Sequence, residues 1–209
     1  FGKTLNMSML ECFFSVRYRD RRDLFNNLYI SDYAEYMKIQ GTYPVIFVSF
    51  AAVKQTNCLD AIRQIKVIIS DVYSQFPELY TSDKLTDGQR KLLASVSRNM
   101  DDVTAQNALN DLSSLLTSHY GKKVIVLLDE YDTPLQEAYI NGYWQEMTSF
   151  IRSLFNATFK SNRHLERAVM TGITRVSKES IFSDLNNLNV ITSMNDRYCL
   201  LYTSDAADD

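Results

Sequence analysis

The feature that most constrains the fold is a run of five apolar residues, 124–128, followed at once by Asp129 and Glu130. An unbroken run of β-branched and leucine residues is typical of a strand buried on both faces, as in a parallel sheet. Two carboxylates at the end of such a strand are costly unless their charges have partners. A bound cation would be such a partner for one carboxylate, and the other could be a base that activates water. The alternative is that both acids simply enter a solvated loop.

The chain opens with Gly2, Lys3 and Thr4, which match the last three positions of the phosphate loop G-x-x-x-x-G-K-[ST]. In that loop the lysine reaches the β- and γ-phosphates, the hydroxyl binds Mg²⁺, and the following helix offers its N-terminal N–H groups to the phosphates. The tripeptide alone is common, but here a helical pattern follows it directly. With Asp129 as the Mg²⁺-associated acid and Glu130 as the base, the sequence predicts the Walker A and Walker B motifs of a P-loop NTPase.

Helical and strand patterns alternate along the chain. Helices are predicted at residues 4–16, 31–38, 56–76, 101–120, 144–159 and 177–184, and strands at 45–50, 124–128 and 167–172. The predicted inner stripes are Leu5, Met9, Cys12, Phe13 and Val16 in the first helix, and Leu59, Ile62, Ile65, Ile69, Val72 and Phe76 in the third. Residues 81–88 are predicted to be a polar loop, and residues 131–134 a turn that leads the chain away from the sheet. Strands separated by long helices predict an α/β fold, a P-loop NTPase-like layered sheet, mostly parallel, with helices on both faces.

Composition bounds the class of protein. The chain has 209 residues, 45% of them apolar and 22% charged, which suits one globular domain. No apolar run approaches the roughly 18 residues of a membrane span, so no membrane is expected. Isolated cysteines at 12 and 58 fit a reducing compartment, and we expect a cytoplasmic protein. The basic run 17–22 is interpreted as a solvated turn, and nucleic acid is not indicated.

The C-terminal segment 199–209 matches the translation of a common transposase-type sequencing adapter. We therefore expect read-through there and one domain at residues 1–198; a natural polar tail is the alternative. Without Asp205, Asp208 and Asp209, the 25 acids fall to 22 and equal the 22 bases. No bulk charge is then left to attract nucleic acid or a membrane.

Four stretches carry a resemblance: F-G-K-T-L-N-M-S-M-L at 1–10, V-L-L-D-E-Y-D-T-P-L at 126–135, T-G-I-T-R-V-S-K-E-S-I-F-S at 171–183 and L-N-N-L at 185–188. In this order they resemble the AAA-ATPase-like domain family, P-loop proteins found mainly in bacteria. That domain is usually followed by a nuclease-fold domain of the PD-(D/E)XK type. The family carries a strand and an arginine-rich loop before F-G-K-T. We therefore expect a domain truncated at both ends that, as it stands, binds ATP weakly or not at all.

The resemblance implies the same roles for the residues of the two motifs and adds three residues beyond them. Thr171 or Thr174 would be the sensor, a polar side chain between Walker B and the γ-phosphate. Arg175 would contact the γ-phosphate.

Three functions are weighed. The leading expectation is ATP binding and Mg²⁺-dependent ATP hydrolysis, coupled to a conformational change in a C-terminal nuclease-like domain. The alternative is a nucleotide-dependent switch or scaffold with little or no turnover. A metal-dependent nuclease site at Asp129, Glu130 and Asp132 is disfavoured, because no lysine follows Glu130 in an E-x-K arrangement.

Overall fold

A three-stranded parallel sheet forms the centre of the molecule. The computed structural model describes residues 2–173. Its strands are β1 (Val45–Ser49), β2 (Val124–Asp129) and β3 (Leu165–Met170). The strand order is β1-β2-β3, and both pairings are parallel. All six residues of the central strand β2 are buried. The predicted doubly buried strand is therefore confirmed.

Within residues 2–173, seven α-helices surround the sheet. They are α1 (Lys3–Phe14), α2 (Ala34–Met37), α3 (Cys58–Tyr73), α4 (Asp87–Ser95), α5 (Asp102–Tyr120), α6 (Thr133–Asn141) and α7 (Trp144–Phe155). Short 3-10 helices lie at Val16–Tyr18, Arg22–Phe25, Tyr29–Asp32 and Pro77–Thr81, and a π-helical turn at Asn156–Lys160 extends α7. None of the helices in the described range is both long and apolar enough to cross a bilayer.

Alternate residues of β2 enter two different cores, because successive side chains of a strand point to opposite faces. Val124, Val126 and Leu128 belong to a large cluster that includes buried residues of α3, α5 and α7. Ile125 and Leu127 face the other way and pack in a smaller cluster with Met7 of α1. The layered α/β arrangement, with helices on both faces of a parallel sheet, is thus confirmed.

The inner stripe predicted for the first helix is wrong at Leu5 and Met9, which are 65% and 46% exposed. The face of α1 that meets the sheet instead carries Met7, Leu10 and Phe14. Residues 7, 10 and 14 are spaced three and four apart, which is also a helical stripe. Periodicity alone could not choose between the two faces.

Leu59 is likewise wrong as an inner residue of α3, since it is 69% exposed. It lies in the first turn. The predicted inner residues Ile65, Ile69 and Val72 are confirmed as buried, and Ala61 is buried with them. The predicted helix at 31–38 is divided between a 3-10 helix, Tyr29–Asp32, and α2.

Two helices were not predicted. Helix α4 begins inside the predicted loop 81–88, where Thr86 and Gln89 form a reciprocal capping box. Helix α6 begins directly after the acidic end of β2, with Pro134 in its first turn.

The predictions for Thr174, Arg175, the helix at 177–184 and the tail at 199–209 lie outside the described residues.

Helix α7 offers a test of the core. Ile151 is fully buried there, whereas Ile140 on α6 is 75% exposed. Ile151→Ala is expected to lower the free energy of unfolding by about 2–5 kcal/mol, because it removes buried methylenes and leaves a cavity. Ile140→Ala, the matched control, should change it by less than about 0.5 kcal/mol. Urea unfolding measures both, and equal effects would contradict the packing described for α7.

Candidate functional site

Polar side chains gather where the strands end. Ser49 at the end of β1 is paired with Asp129 at the end of β2, and Thr171 follows β3 directly. The first turn of α1 lies at the same edge, since Thr4 is hydrogen-bonded to Asp129. The carboxyl edge of an open parallel sheet is where ligands bind in such folds.

Asp129 is the centre of this group, and its carboxylate is only 2% exposed. One oxygen, Oδ2, accepts the Thr4 hydroxyl at 2.8 Å. The other, Oδ1, accepts the Thr171 hydroxyl and, at 3.1 Å, the backbone N–H of Glu130. Three donors offset the cost of burying the carboxylate. The structure therefore brings together Thr4, Asp129 and Thr171, which lie far apart in the chain.

Lys3 joins the same group through the loop that follows β3. Its Nζ donates to the carbonyl oxygen of Gly172 at 2.8 Å, and this contact is exposed to solvent. Gly2 precedes α1 with φ +85°. The first N–H to pair within the helix is that of Asn6, which bonds the Gly2 carbonyl at 2.9 Å. The earlier N–H groups have no intrahelical acceptor, as at the start of any α-helix.

Glu130 has an unusual backbone conformation, with φ +52°. Residues other than glycine seldom adopt this left-handed region, and those that do cluster at functional sites. The flanking chain holds it there, because the Tyr131 N–H donates to the Thr171 carbonyl at 3.1 Å. The half-buried Glu130 side chain accepts the Thr133 hydroxyl at 3.2 Å. The carboxylate is thus oriented by the start of α6.

Asp132 and Gly172 form a contact that sequence reasoning missed. Asp132 is fully buried, and its Oδ2 accepts the Ile173 N–H at 2.9 Å and the Gln136 amide at 2.8 Å. A Cβ on Gly172 would lie 2.7 Å from Asp132 Oδ1 and 2.6 Å from Tyr131 Cε1. Burial, and the Asp132 carboxylate nearby, raise the pKa of the Tyr131 phenol. The only sequence signal for this close approach is Gly172 itself, at the end of the predicted strand 167–172.

The donor set suits a hard cation. Within residues 2–173, no three His, Cys, Asp or Glu side chains form a group that could hold a metal ion. The nuclease interpretation of Asp129, Glu130 and Asp132 therefore gains no support there. Thr4 and Asp129 instead offer a hydroxyl and a carboxylate 2.8 Å apart. Such a sparse oxygen set fits Mg²⁺, which keeps several waters and takes its other ligands from phosphates.

The chain is similar to known proteins in two comparisons. A family model described as "Predicted AAA-ATPase" matches residues 1–182. A curated relative, an uncharacterized protein in the vnfD 5' region of Azotobacter chroococcum mcd 1, is 36% identical over 91 residues. That match covers 42% of this chain and 17% of the relative's length. No solved structure matches the chain.

Gly172 provides a test of the contact between α6 and the end of β3. Gly172→Ala is expected to destabilise the protein by about 1–3 kcal/mol, the usual cost of overpacking, because the new Cβ meets Tyr131 and Asp132. Gly88→Ala is the matched control. Gly88 lies inside α4, where a Cβ would meet nothing closer than 3.9 Å. Thermal unfolding compares the two, and a neutral Gly172→Ala would contradict the close packing.

Proposed function

The chain belongs to the AAA-ATPase-like family of predicted AAA-ATPases, and from this premise we propose that it binds Mg·ATP at the carboxyl edge of its sheet and hydrolyses it. Family membership supports nucleotide binding in general. The observation that carries the finer proposal is the buried Asp129 carboxylate, which accepts hydroxyls from Thr4 of α1 and Thr171 after β3. In this proposal Thr4 belongs to the Walker A motif, Asp129 to the Walker B motif and Thr171 is the sensor, and all three meet at the Asp129 carboxylate.

Phosphate binding is assigned to the start of α1. The free N–H groups of its first turn and the positive end of the helix dipole favour an anion there. Lys3 is exposed and has a flexible stem, so its ammonium can leave the Gly172 carbonyl for the β- and γ-phosphates. Gly2, with its left-handed backbone, would let the chain turn closely around the phosphate.

Mg²⁺ is assigned to Thr4 and Asp129. The Thr4 hydroxyl would be a direct ligand, and Asp129 would orient that hydroxyl and the metal's waters. When bound, the ion neutralises charge that develops on the phosphates. The role of the chain is to keep both oxygens fixed, which the hydrogen bonds of Thr171 and of the Glu130 N–H to Asp129 do.

Water activation is assigned to Glu130. Glu130 follows Asp129 at the edge of the sheet, and its carboxylate is oriented by the Thr133 hydroxyl. It would accept the proton of a water aimed at the γ-phosphate. Thr171 would serve as the sensor, and Thr174 and Arg175, farther along the same segment, are proposed as a second sensor candidate and a γ-phosphate contact.

A switch with little turnover is the second candidate, and one observation favours it. The Glu130 carboxylate already accepts the Thr133 hydroxyl, so this contact has to be exchanged for water before Glu130 can act as a base. In either case the coupled work is proposed to pass to a C-terminal nuclease-like domain. A cytoplasmic location is part of the same proposal, since the reaction draws on cellular ATP.

Glu130→Gln separates the two candidates. In the protein of native length, the amide keeps the shape of the side chain but cannot accept a proton. ATP affinity should stay within a few-fold of wild type, while turnover falls by roughly two to four orders of magnitude. Glu146→Gln, an exposed acid on α7, is the matched control and should change neither quantity.

Each other outcome has a definite meaning. Unchanged turnover in Glu130→Gln would remove Glu130 from the role of base. Saturable ATP binding without turnover in the wild type would select the switch. Failure of the wild type to bind ATP, measured by calorimetry, would overturn the proposal as a whole.

A further inference from the structure

We propose that the peptide group between Gly172 and Ile173 responds to nucleotide binding, and that Asp132 is the positioning residue that holds it. The carbonyl oxygen of this peptide, that of Gly172, accepts from Lys3 Nζ at 2.8 Å. The N–H of the same peptide, that of Ile173, donates to Asp132 Oδ2 at 2.9 Å. The two atoms belong to one rigid plane. The inference rests on the proposed function, because Lys3 is the residue assigned there to the phosphates.

The two contacts differ in how firmly they are held. Asp132 is fully buried, and the same Oδ2 accepts the Gln136 side-chain amide at 2.8 Å. Gly172 leaves no room for a side chain, so the peptide lies directly against Asp132. Lys3, in contrast, is exposed on a flexible stem. The Asp132 contact is therefore fixed, and the Lys3 contact is the one that can exchange.

A bound triphosphate would draw Lys3 away, since charged phosphate oxygens accept an ammonium more strongly than a neutral carbonyl does. The Gly172 carbonyl then loses its donor, while the Ile173 N–H keeps Asp132. The peptide immediately follows Thr171, whose N–H donates to the Leu128 carbonyl at 2.9 Å. The segment after β3 is thus attached at several points, and the contact between Lys3 and Gly172 is one that depends on the nucleotide.

The Ile173 amide itself is the probe. The protein of native length is labelled with ¹⁵N-isoleucine, and the Ile173 signal is assigned by its loss in Ile173→Val. A non-hydrolysable Mg·ATP analogue is added while calorimetry measures binding independently. The Ile173 signal is expected to shift with the same midpoint as binding. Lys3→Met without nucleotide should shift it in the same direction, because the Gly172 carbonyl loses the same donor.

Two variants of Asp132 test the positioning role. Asp132→Asn keeps an oxygen that can accept the Ile173 N–H, whereas Asp132→Leu has a similar size and no acceptor. For Asp132→Leu we expect faster hydrogen exchange at the Ile173 amide. Its kcat should fall roughly tenfold, the scale of one lost hydrogen bond to a charged acceptor, with no loss of ATP affinity. In Asp132→Asn, the exchange rate at the Ile173 amide and kcat should both be closer to the wild-type values than in Asp132→Leu.

The outcomes separate this inference from the function on which it rests. Binding by calorimetry with an unmoved Ile173 signal would overturn the inference and leave ATP binding standing. Absence of binding would contradict both. If Asp132→Leu kept the wild-type exchange rate at the Ile173 amide, or lost activity only in proportion to its nucleotide-binding fraction, Asp132 would serve packing alone and its positioning role would be wrong. Equal loss in Asp132→Asn, which keeps the acceptor, would also overturn the positioning role.

Discussion

The structure depends on one buried charge, the carboxylate of Asp129. A carboxylate that is 2% exposed at the end of a strand is stable only with donors around it, and it has three. Those donors come from α1, from the segment after β3 and from the next residue of its own chain. The requirement to satisfy Asp129 therefore attaches a helix and a second strand end to β2. The same requirement brings Thr4 and Thr171 together at the edge where we propose that Mg·ATP binds.

A second buried carboxylate, Asp132, fixes the other side of the same edge. It connects the start of α6 to the chain after β3 through the Ile173 N–H, and Gly172 permits the close approach. Glu130 lies between the two acids, in a left-handed conformation that its neighbours impose. The geometry of the proposed base is thus set by a short segment in which two buried carboxylates each hold part of the chain after β3.

The parts of this arrangement that could be predicted were those with strong local signals. The run 124–128 is typical of a doubly buried strand, and a helical pattern directly follows Gly2-Lys3-Thr4. Helix α6 was missed because its start, beside the acidic motif, was interpreted as a turn. The buried face of α1 was misassigned because two stripes of that helix have helical spacing. The Asp132–Gly172 contact joins residues 40 apart, and no local pattern encodes such a meeting.

The most direct test of the account is the Mg²⁺ dependence of ATP affinity in Thr4→Val, measured by calorimetry on the protein of native length. If Thr4 and Asp129 hold the metal, Mg²⁺ strengthens ATP binding in the wild type. In Thr4→Val that gain should shrink by roughly ten- to a hundredfold, the scale for losing one metal ligand or its support, with Mg²⁺-free affinity little changed. Thr42→Val is the matched control, because Thr42 precedes β1 at the opposite edge of the sheet and bonds Lys122. A full Mg²⁺ gain in Thr4→Val would contradict the assignment of the metal to Thr4 and Asp129.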